Sequence, residues 1–178
     1  MIGLGGGVIA NFLTAYPEAK INLTTVELDP VMPPVARDWF GLVENESNRV
    51  VVQDGAAFID ENAKNGIKYK AVFVDACFEF CPAGPFMEPG VAKIVAAIVE
   101  ENGVAVVNVI GDRKKQDQLE AIYGKHFASC FYFYLKHQQL LMCSHREKWT
   151  LVEQRQRFES NLKQVDEYLH LGVMLPSA

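Results

Sequence analysis

The chain has 178 residues, a formal net charge of −5 and a sequence pI of about 5.4. Hydrophobic residues make up 49% and charged residues 22% of the sequence, an ordinary composition for a globular domain with a core. The negative balance argues against nucleic acid as a partner, because phosphate binding needs a dense basic surface. We also expect no membrane partner, since no apolar run is long enough to cross a bilayer.

The four cysteines do not have the paired spacing of a zinc site or the density of a disulfide scaffold. They are Cys77, Cys81, Cys130 and Cys143. The sequence therefore predicts four reduced thiols, no metal site and a cytoplasmic protein.

Strand-like and helix-like segments alternate over the first two thirds of the chain. In order, we predict a strand end at 1–3, a helix at 7–16, a strand at 21–28, a helix from Asp29 that Pro33 and Pro34 interrupt, and a strand at 49–54. A short helix at 55–65 and a strand at 69–76 follow. A loop with three prolines occupies 77–90, and an amphipathic helix at 91–102 is expected to stop at Gly103.

The last third of the chain adds a different pattern. A strand at 104–111 and a helix at 112–127 precede two strands, 128–135 and 138–144, and a final helix spans 148–172. The two late strands are too close in sequence for a parallel crossover, so they must form an antiparallel hairpin around Lys136 and His137. The whole indicates one α/β domain over 1–178, with a doubly wound, mostly parallel sheet and a C-terminal antiparallel hairpin.

Ligands of such sheets bind beyond the carboxyl ends of the strands, so the residues at those ends are the candidate site. Gly3, Gly5 and Gly7 form a G-x-G-x-G turn between the first strand and its helix. A dinucleotide fingerprint would need glycine in place of Val8, which disfavours a nicotinamide oxidoreductase. Glu27 ends the next strand, where a carboxylate can accept hydrogen bonds from the ribose hydroxyls of an adenosine.

Two further acids end the following strands. Asp54, followed by the small residue Gly55, can accept from an adenine amino group, or act as the N-cap of the next helix. Asp75 ends a strand that should be buried on both faces, where a carboxylate is costly unless it is paired or functional. It can steer an amine or accept its proton, or it can anchor the loop. The four histidines lie late in the chain without metal or triad spacing.

The segments IGLGGG, TTVELDP, VVVQDGAAFI and YKAVFVDAC resemble the spermidine synthase-like superfamily, and most closely its methyltransferase branch of the methyltransferase-like 13 type. The resemblance implies S-adenosylmethionine as methyl donor and a protein amine, a lysine or an N-terminus, as acceptor. It places Gly3, Gly5 and Gly7 at the methionine end of the donor. It implies the ribose role for Glu27, the adenine role for Asp54, and Asp75 facing the acceptor as catalytic residue.

Two departures from the superfamily pattern keep alternatives open. Aminopropyltransferases carry D-x-x-D-P at the last motif, but Phe78 stands three residues after Asp75, which disfavours polyamine synthesis. Relatives also place most of the first strand ahead of the glycine turn. We therefore expect an N-terminally truncated domain, as a fragment, an isoform or a binding protein that retains the fold without catalysis, with a homodimer as one possible assembly.

Overall fold

A computed structural model describes residues 1–16, 19–134, 138–147 and 151–169. The chain divides into two compact units, Met1–Arg146 and Glu147–Ala178. The prediction of one domain over the whole chain stays a prediction, and each unit is described by itself.

The first unit contains five α-helices and six β-strands among its described residues. The helices are α1 (Val8–Thr14), α2 (Met32–Phe40), α3 (Gly55–Lys64), α4 (Pro89–Ile98) and α5 (Arg113–Tyr123). The strands are β1 (Leu23–Glu27), β2 (Asn48–Val52), β3 (Tyr69–Val74), β4 (Val99–Val109), β5 (Ser129–Tyr134) and β6 (Gln139–Ser144). A 3₁₀ turn at Gly84–Met87 precedes α4.

The strands pair as the alternation of the sequence predicts. β1 is parallel to β2, and β3 is parallel to β4, whereas β6 is antiparallel to both β4 and β5. The doubly wound α/β class with its antiparallel hairpin is therefore confirmed. The predicted turn at Lys136 and His137 lies outside the described residues.

Ile2 connects the two parallel strand pairs. It forms parallel bridges to Val26 in β1 and to Val74 in β3. Its N–H donates to the carbonyl of Phe73 at 2.8 Å, and its carbonyl accepts from the N–H of Asp75 at 2.8 Å. The residues of the predicted strand end therefore lie between β1 and β3, as a central strand of such a sheet does.

The main hydrophobic core lies between this sheet and helices α3, α4 and α5. Its fully buried members include Val74, Val95, Val107, Leu119 and Tyr123. Val107 and Val109 near the end of β4 are buried in this core, and Asn108 between them points to the opposite face of the sheet.

Two predicted element boundaries are wrong. The helix expected to run to Asn102 ends at Ile98, because Val99 starts β4 and pairs with Tyr69. The register then jumps to Ala71 opposite Val104, so the intervening residues form an irregularity within the strand. The prolines expected to interrupt α2 instead occupy its first turn, where the missing N–H is tolerated.

The prediction of four reduced thiols is also wrong. Disulfides join Cys77 to Cys81 and Cys130 to Cys143, and no free cysteine lies in the described part of the chain. Cys130 and Cys143 are register partners in the β5–β6 pair, with Cα atoms 4.2 Å apart. Their proximity follows from the strand register, which cysteine spacing alone does not reveal.

The second unit contains α6, which spans Leu151–Leu169 and confirms the predicted C-terminal helix. No helix among the described residues of the chain is both long and apolar enough to cross a membrane.

Candidate functional site

A cavity of about 910 Å³ opens at the carboxyl ends of β1 and β3, beside the start of α3. Six of the seven residues that the sequence singles out line this one cavity, and they come from four separate segments of the chain. They are Gly3, Gly5, Glu27, Asp54, Gly55 and Asp75.

The glycine turn touches the end of β3 directly. A Cβ built on Gly3 would lie 2.4 Å from the carbonyl oxygen of Asp75, and the φ angle of Gly3 is +93°. Gly5 faces open space, since a Cβ there would meet nothing within 4 Å. The turn therefore combines a close backbone contact at its base with an open surface toward the cavity.

Gly7 lies apart from the other six residues, and its predicted donor role stays a prediction. Gly7 is not among the residues that line the cavity. It is the N-cap residue of α1, and a Cβ there would approach Leu42 to 2.8 Å. Its place in the motif is therefore explained by packing at the helix start.

The Glu27 carboxylate links the glycine turn to the end of β1. Its Oε2 accepts from the N–H of Leu4 at 2.8 Å, and its Oε1 accepts from the N–H of Asp29 at 3.0 Å. Each carboxylate oxygen has a second lone pair, so hydroxyl donors of a ligand can still bind. Two backbone donors thus orient the carboxylate before any ligand arrives.

Asp54 caps a helix and also lines the cavity, so the predicted adenine role stays open beside the cap role. Its Oδ1 accepts from the N–H of Ala57 at 2.8 Å and caps α3, while the residue also lines the cavity. Gly55 follows at the point where the chain packs on Ile2: a Cβ on Gly55 would lie 2.4 Å from Cγ2 of Ile2. The cap therefore holds the second carboxylate at the cavity rim.

Asp75 has a partner that sequence reasoning missed. The side-chain Nδ2 of Asn108, near the end of β4, donates to Oδ1 of Asp75 at 2.7 Å. The signal in the sequence was a polar residue within the apolar run VAVVNVIG. A lone asparagine gives no indication of its partner 33 residues away.

The loop after Asp75 is fixed at its base and exposed at its tip. The N–H of Ala83 donates to the carbonyl of Ala76 at 2.7 Å, and the N–H of Ile110 donates to the carbonyl of Cys81 at 3.0 Å. At the tip, Phe78 is 91% exposed while lining the cavity, and Phe80 is 67% exposed.

The remaining aromatic residue of the loop packs inward, and a lysine covers one exposed ring. Phe86 is buried and packs against the main core. The Nζ atom of Lys115 lies 5.2 Å from the ring centroid of Phe80 and donates to the carbonyl of Ile110. Desolvation lowers the pKa of Lys115 from its ordinary value. The lysine stem therefore supports the loop from beneath Phe80.

Within the described residues, no group of three or more histidine, cysteine, aspartate or glutamate side chains is arranged to hold a metal ion. The polar groups that line the cavity are instead hydrogen-bond acceptors and backbone groups. Such a lining suits an organic ligand with hydroxyl and amino donors.

The fold is that of a class I methyltransferase, with its cavity where sheets of this type bind ligands. Within that class, the chain is similar to the eEF1A lysine and N-terminal methyltransferase homolog of Drosophila melanogaster, at 29% identity over 165 residues. The match covers 86% of this chain and 24% of that protein, so the chain spans about a quarter of its relative.

Two further likenesses agree with the resemblance. The structure matches human methyltransferase-like protein 13 in complex with SAH, with a TM-score of 0.83, 24% identity, and coverage of 99% of this chain and 83% of that one. The polyamine aminopropyltransferase of Vibrio vulnificus is 29% identical over 135 residues, which are 75% of this chain and 44% of that protein. No family model matches the chain. The resemblance to the spermidine synthase-like superfamily and its methyltransferase branch is thus confirmed.

Proposed function

We propose that this chain is an S-adenosylmethionine-dependent methyltransferase domain acting on a protein amine. The observation that carries the proposal is the convergence of the glycine turn and three strand-end acids on one cavity. The similar proteins that bear methyltransferase names support the reaction class. The human neighbour in complex with SAH supports the donor.

The lining residues divide the cavity into donor and acceptor ends. Gly3 and Gly5 border the methionine end, where Gly5 leaves open space for a ligand. Glu27 accepts from the ribose hydroxyls with a carboxylate already oriented by two backbone donors. Asp54 accepts from the adenine amino group, and Gly55 lines the cavity beside it. The two carboxylates and the open space at Gly5 fit an adenosyl ligand, which has donors for the acids and bulk for the space.

Asp75 faces the acceptor amine. In the transfer, the amine lone pair forms a bond to the methyl carbon while the carbon–sulfur bond breaks and its electron pair stays on sulfur. Asp75 accepts a hydrogen bond from the attacking nitrogen and steers it into line with the methyl group. The methylated nitrogen then loses its proton to this carboxylate or to water. Alignment of this kind lowers a barrier without covalent help from the enzyme.

The exposed rings of Phe78 and Phe80 support a protein acceptor. An aromatic ring that is 91% exposed at a cavity mouth leaves apolar surface for a partner to cover. The loop base is held by backbone hydrogen bonds, so little order is lost when a polypeptide docks there. Because several relatives are named for eEF1A, translation elongation factor 1A is the acceptor to test first.

Calorimetric titration with S-adenosylmethionine tests the donor site. We expect binding by the wild-type protein, strong weakening in Glu27→Ala and a smaller effect in Asp75→Ala, because ribose bonds to a carboxylate contribute about 1.5–3 kcal/mol each. Asp38→Ala, an exposed acid on α2 outside the cavity, serves as the matched control and should bind like wild type. A folded wild-type protein that releases no heat at millimolar donor would contradict the proposal.

Product assays separate the alternatives. Methyl transfer to translation elongation factor 1A supports the proposed reaction, whereas aminopropyl transfer to putrescine from decarboxylated donor would assign the aminopropyltransferase alternative. Donor binding without transfer to any protein of an extract would assign a binding protein that retains the fold.

The finer predictions on assembly and location also remain proposals. A homodimer and the absence of nucleic-acid partners rest on the sequence alone. A cytoplasmic location agrees with relatives named as methyltransferases of a translation factor, but two disulfides weigh against it because that compartment keeps thiols reduced.

A further inference from the structure

Asn108 and Asp75 lie side by side on neighbouring parallel strands. β3 and β4 pair with Val74 opposite Val107. The next residue along each strand is Asp75 or Asn108, so the amide lies beside the carboxylate. The Nδ2 atom of Asn108 donates to Oδ1 of Asp75 at 2.7 Å. This distance is at the short end of the ordinary range for N–H···O hydrogen bonds.

The other end of the Asn108 amide has no compensating contact. Its Oδ1 is buried and has no hydrogen-bond partner in the described part of the chain. An unsatisfied buried acceptor is unfavourable, and an apolar residue of similar shape would remove that penalty. The reversed amide orientation would set two oxygens against each other, so the Asp75 contact fixes the orientation. The asparagine therefore gains its hydrogen bond to Asp75 while leaving one buried acceptor unpaired, which lowers the stability of the strand.

We propose that Asn108 is a positioning residue, which holds the Asp75 carboxylate so that its second oxygen faces the acceptor amine. The inference rests on the proposed function. With Oδ1 occupied by Asn108, Oδ2 has no hydrogen-bond partner among the described residues and is left for the substrate nitrogen. Because Asp75 also lines the cavity, rotation of its side chain would carry this acceptor out of line with the methyl group.

Asn108→Leu tests the role in steady-state kinetics with translation elongation factor 1A as acceptor. We expect kcat to fall by about tenfold or more, since a hydrogen bond to a charged group is lost. The affinity for S-adenosylmethionine should stay within about twofold of wild type, because the donor residues are untouched. Asn108→Gln, which keeps the amide donor, should recover part of kcat.

Asn62 provides the matched control for removal of a buried amide. It is 8% exposed, its Nδ2 donates to the hydroxyl of Tyr69 at 3.1 Å, and it lies outside the cavity lining. Asn62→Leu should leave kcat near the wild-type value even if it lowers the unfolding temperature. A folded Asn108→Leu protein with wild-type kcat would overturn the proposal.

Nuclear magnetic resonance of the side-chain amides gives a readout independent of catalysis. The Asn108 amide resonance, assigned by its loss in Asn108→Leu, should shift in Asp75→Asn, while the Asn62 resonance should not. If the wild-type protein neither binds donor nor transfers methyl, the proposed function fails, whereas this shift separately decides whether Asn108 holds the Asp75 carboxylate. An Asn108 resonance unaffected by Asp75→Asn would refute the positioning contact.

Discussion

Single backbone contacts at the glycine turn set the geometry of the cavity. Gly3 lies against the carbonyl of Asp75, and the N–H of Leu4 binds the carboxylate of Glu27. These contacts join two candidate site residues to one short segment. A substitution in the turn is therefore expected to disturb both ends of the cavity together.

Gly3→Ala should destabilise the fold well beyond the usual cost of a left-handed residue. The added Cβ would lie 2.4 Å from a backbone oxygen, so β3 or the turn must shift. Gly66→Ala is the matched control, because Gly66 has a φ of +69° but nothing within 4 Å of a built Cβ. Urea unfolding should give about 1–2 kcal/mol for Gly66→Ala and a clearly larger loss for Gly3→Ala. Equal losses of unfolding free energy in the two variants would show that the backbone accommodates the Gly3 methyl group without further loss of stability.

Predictability from the sequence differs among the candidate residues. The strand-end positions of Glu27, Asp54 and Asp75 follow from the alternation of strands and helices. The Leu4 donor to Glu27 and the Asn108 partner of Asp75 do not, because they depend on which segments of the chain become neighbours in the sheet. The packing of Gly7 at the start of α1, against Leu42, was not predictable from the glycine motif either.

The secondary-structure elements were predictable where the hydrophobic periodicity was clear. The prediction failed where a helical pattern ran directly into a strand pattern. The apolar run of α4 continues without a break into Val99, and pairing with Tyr69 ends the helix there. Tertiary strand pairing thus overrode a local helical pattern. The antiparallel hairpin was predictable from the short connection alone, but its register, which brings Cys130 against Cys143, was not.

The two disulfides should differ in accessibility and in contribution to stability. Cys77 is exposed, whereas Cys130 and Cys143 are buried, so mild reductant should open Cys77–Cys81 first. Reduction of Cys130–Cys143 should lower the free energy of unfolding by about 2–4 kcal/mol, and the shorter Cys77–Cys81 loop should contribute less.

Alkylation followed by mass spectrometry, with and without denaturant, measures the order of reduction. The double variant Cys77→Ser and Cys81→Ser is the control that isolates the hairpin disulfide. Four alkylated thiols in protein unfolded without reductant would restore the expectation of reduced cysteines.

At the scale of the first unit, the sheet consists of a two-stranded and a four-stranded part joined through Ile2. Glu27 lies at the end of a strand in the first part, and Asp75 follows a strand in the second. The distance between Glu27 and Asp75 across the cavity therefore depends on how this joint is packed.

Ile2→Ala should destabilise the first unit and weaken donor binding at the same time. Ile2 is 5% exposed, and truncation of a buried isoleucine typically costs about 2–5 kcal/mol. Ile67→Ala, at a residue that is 43% exposed, is the control and should cost much less. Chemical unfolding and donor calorimetry measure both effects. Full donor affinity in a strongly destabilised Ile2→Ala protein would show that packing at Ile2 does not affect the donor site.

The contact between Gly3 and the Asp75 carbonyl has a consequence for how substrate preference can diverge in proteins of this kind. It is made by main-chain atoms and braced by the hydrogen bond from the Asp75 N–H to Ile2. In the proposed methyl transfer, the place of Asp75 relative to the donor end is therefore set by main-chain atoms. The aromatic tip beyond Cys77 takes no part in this contact, so we expect substitutions there to change acceptor preference without moving Asp75.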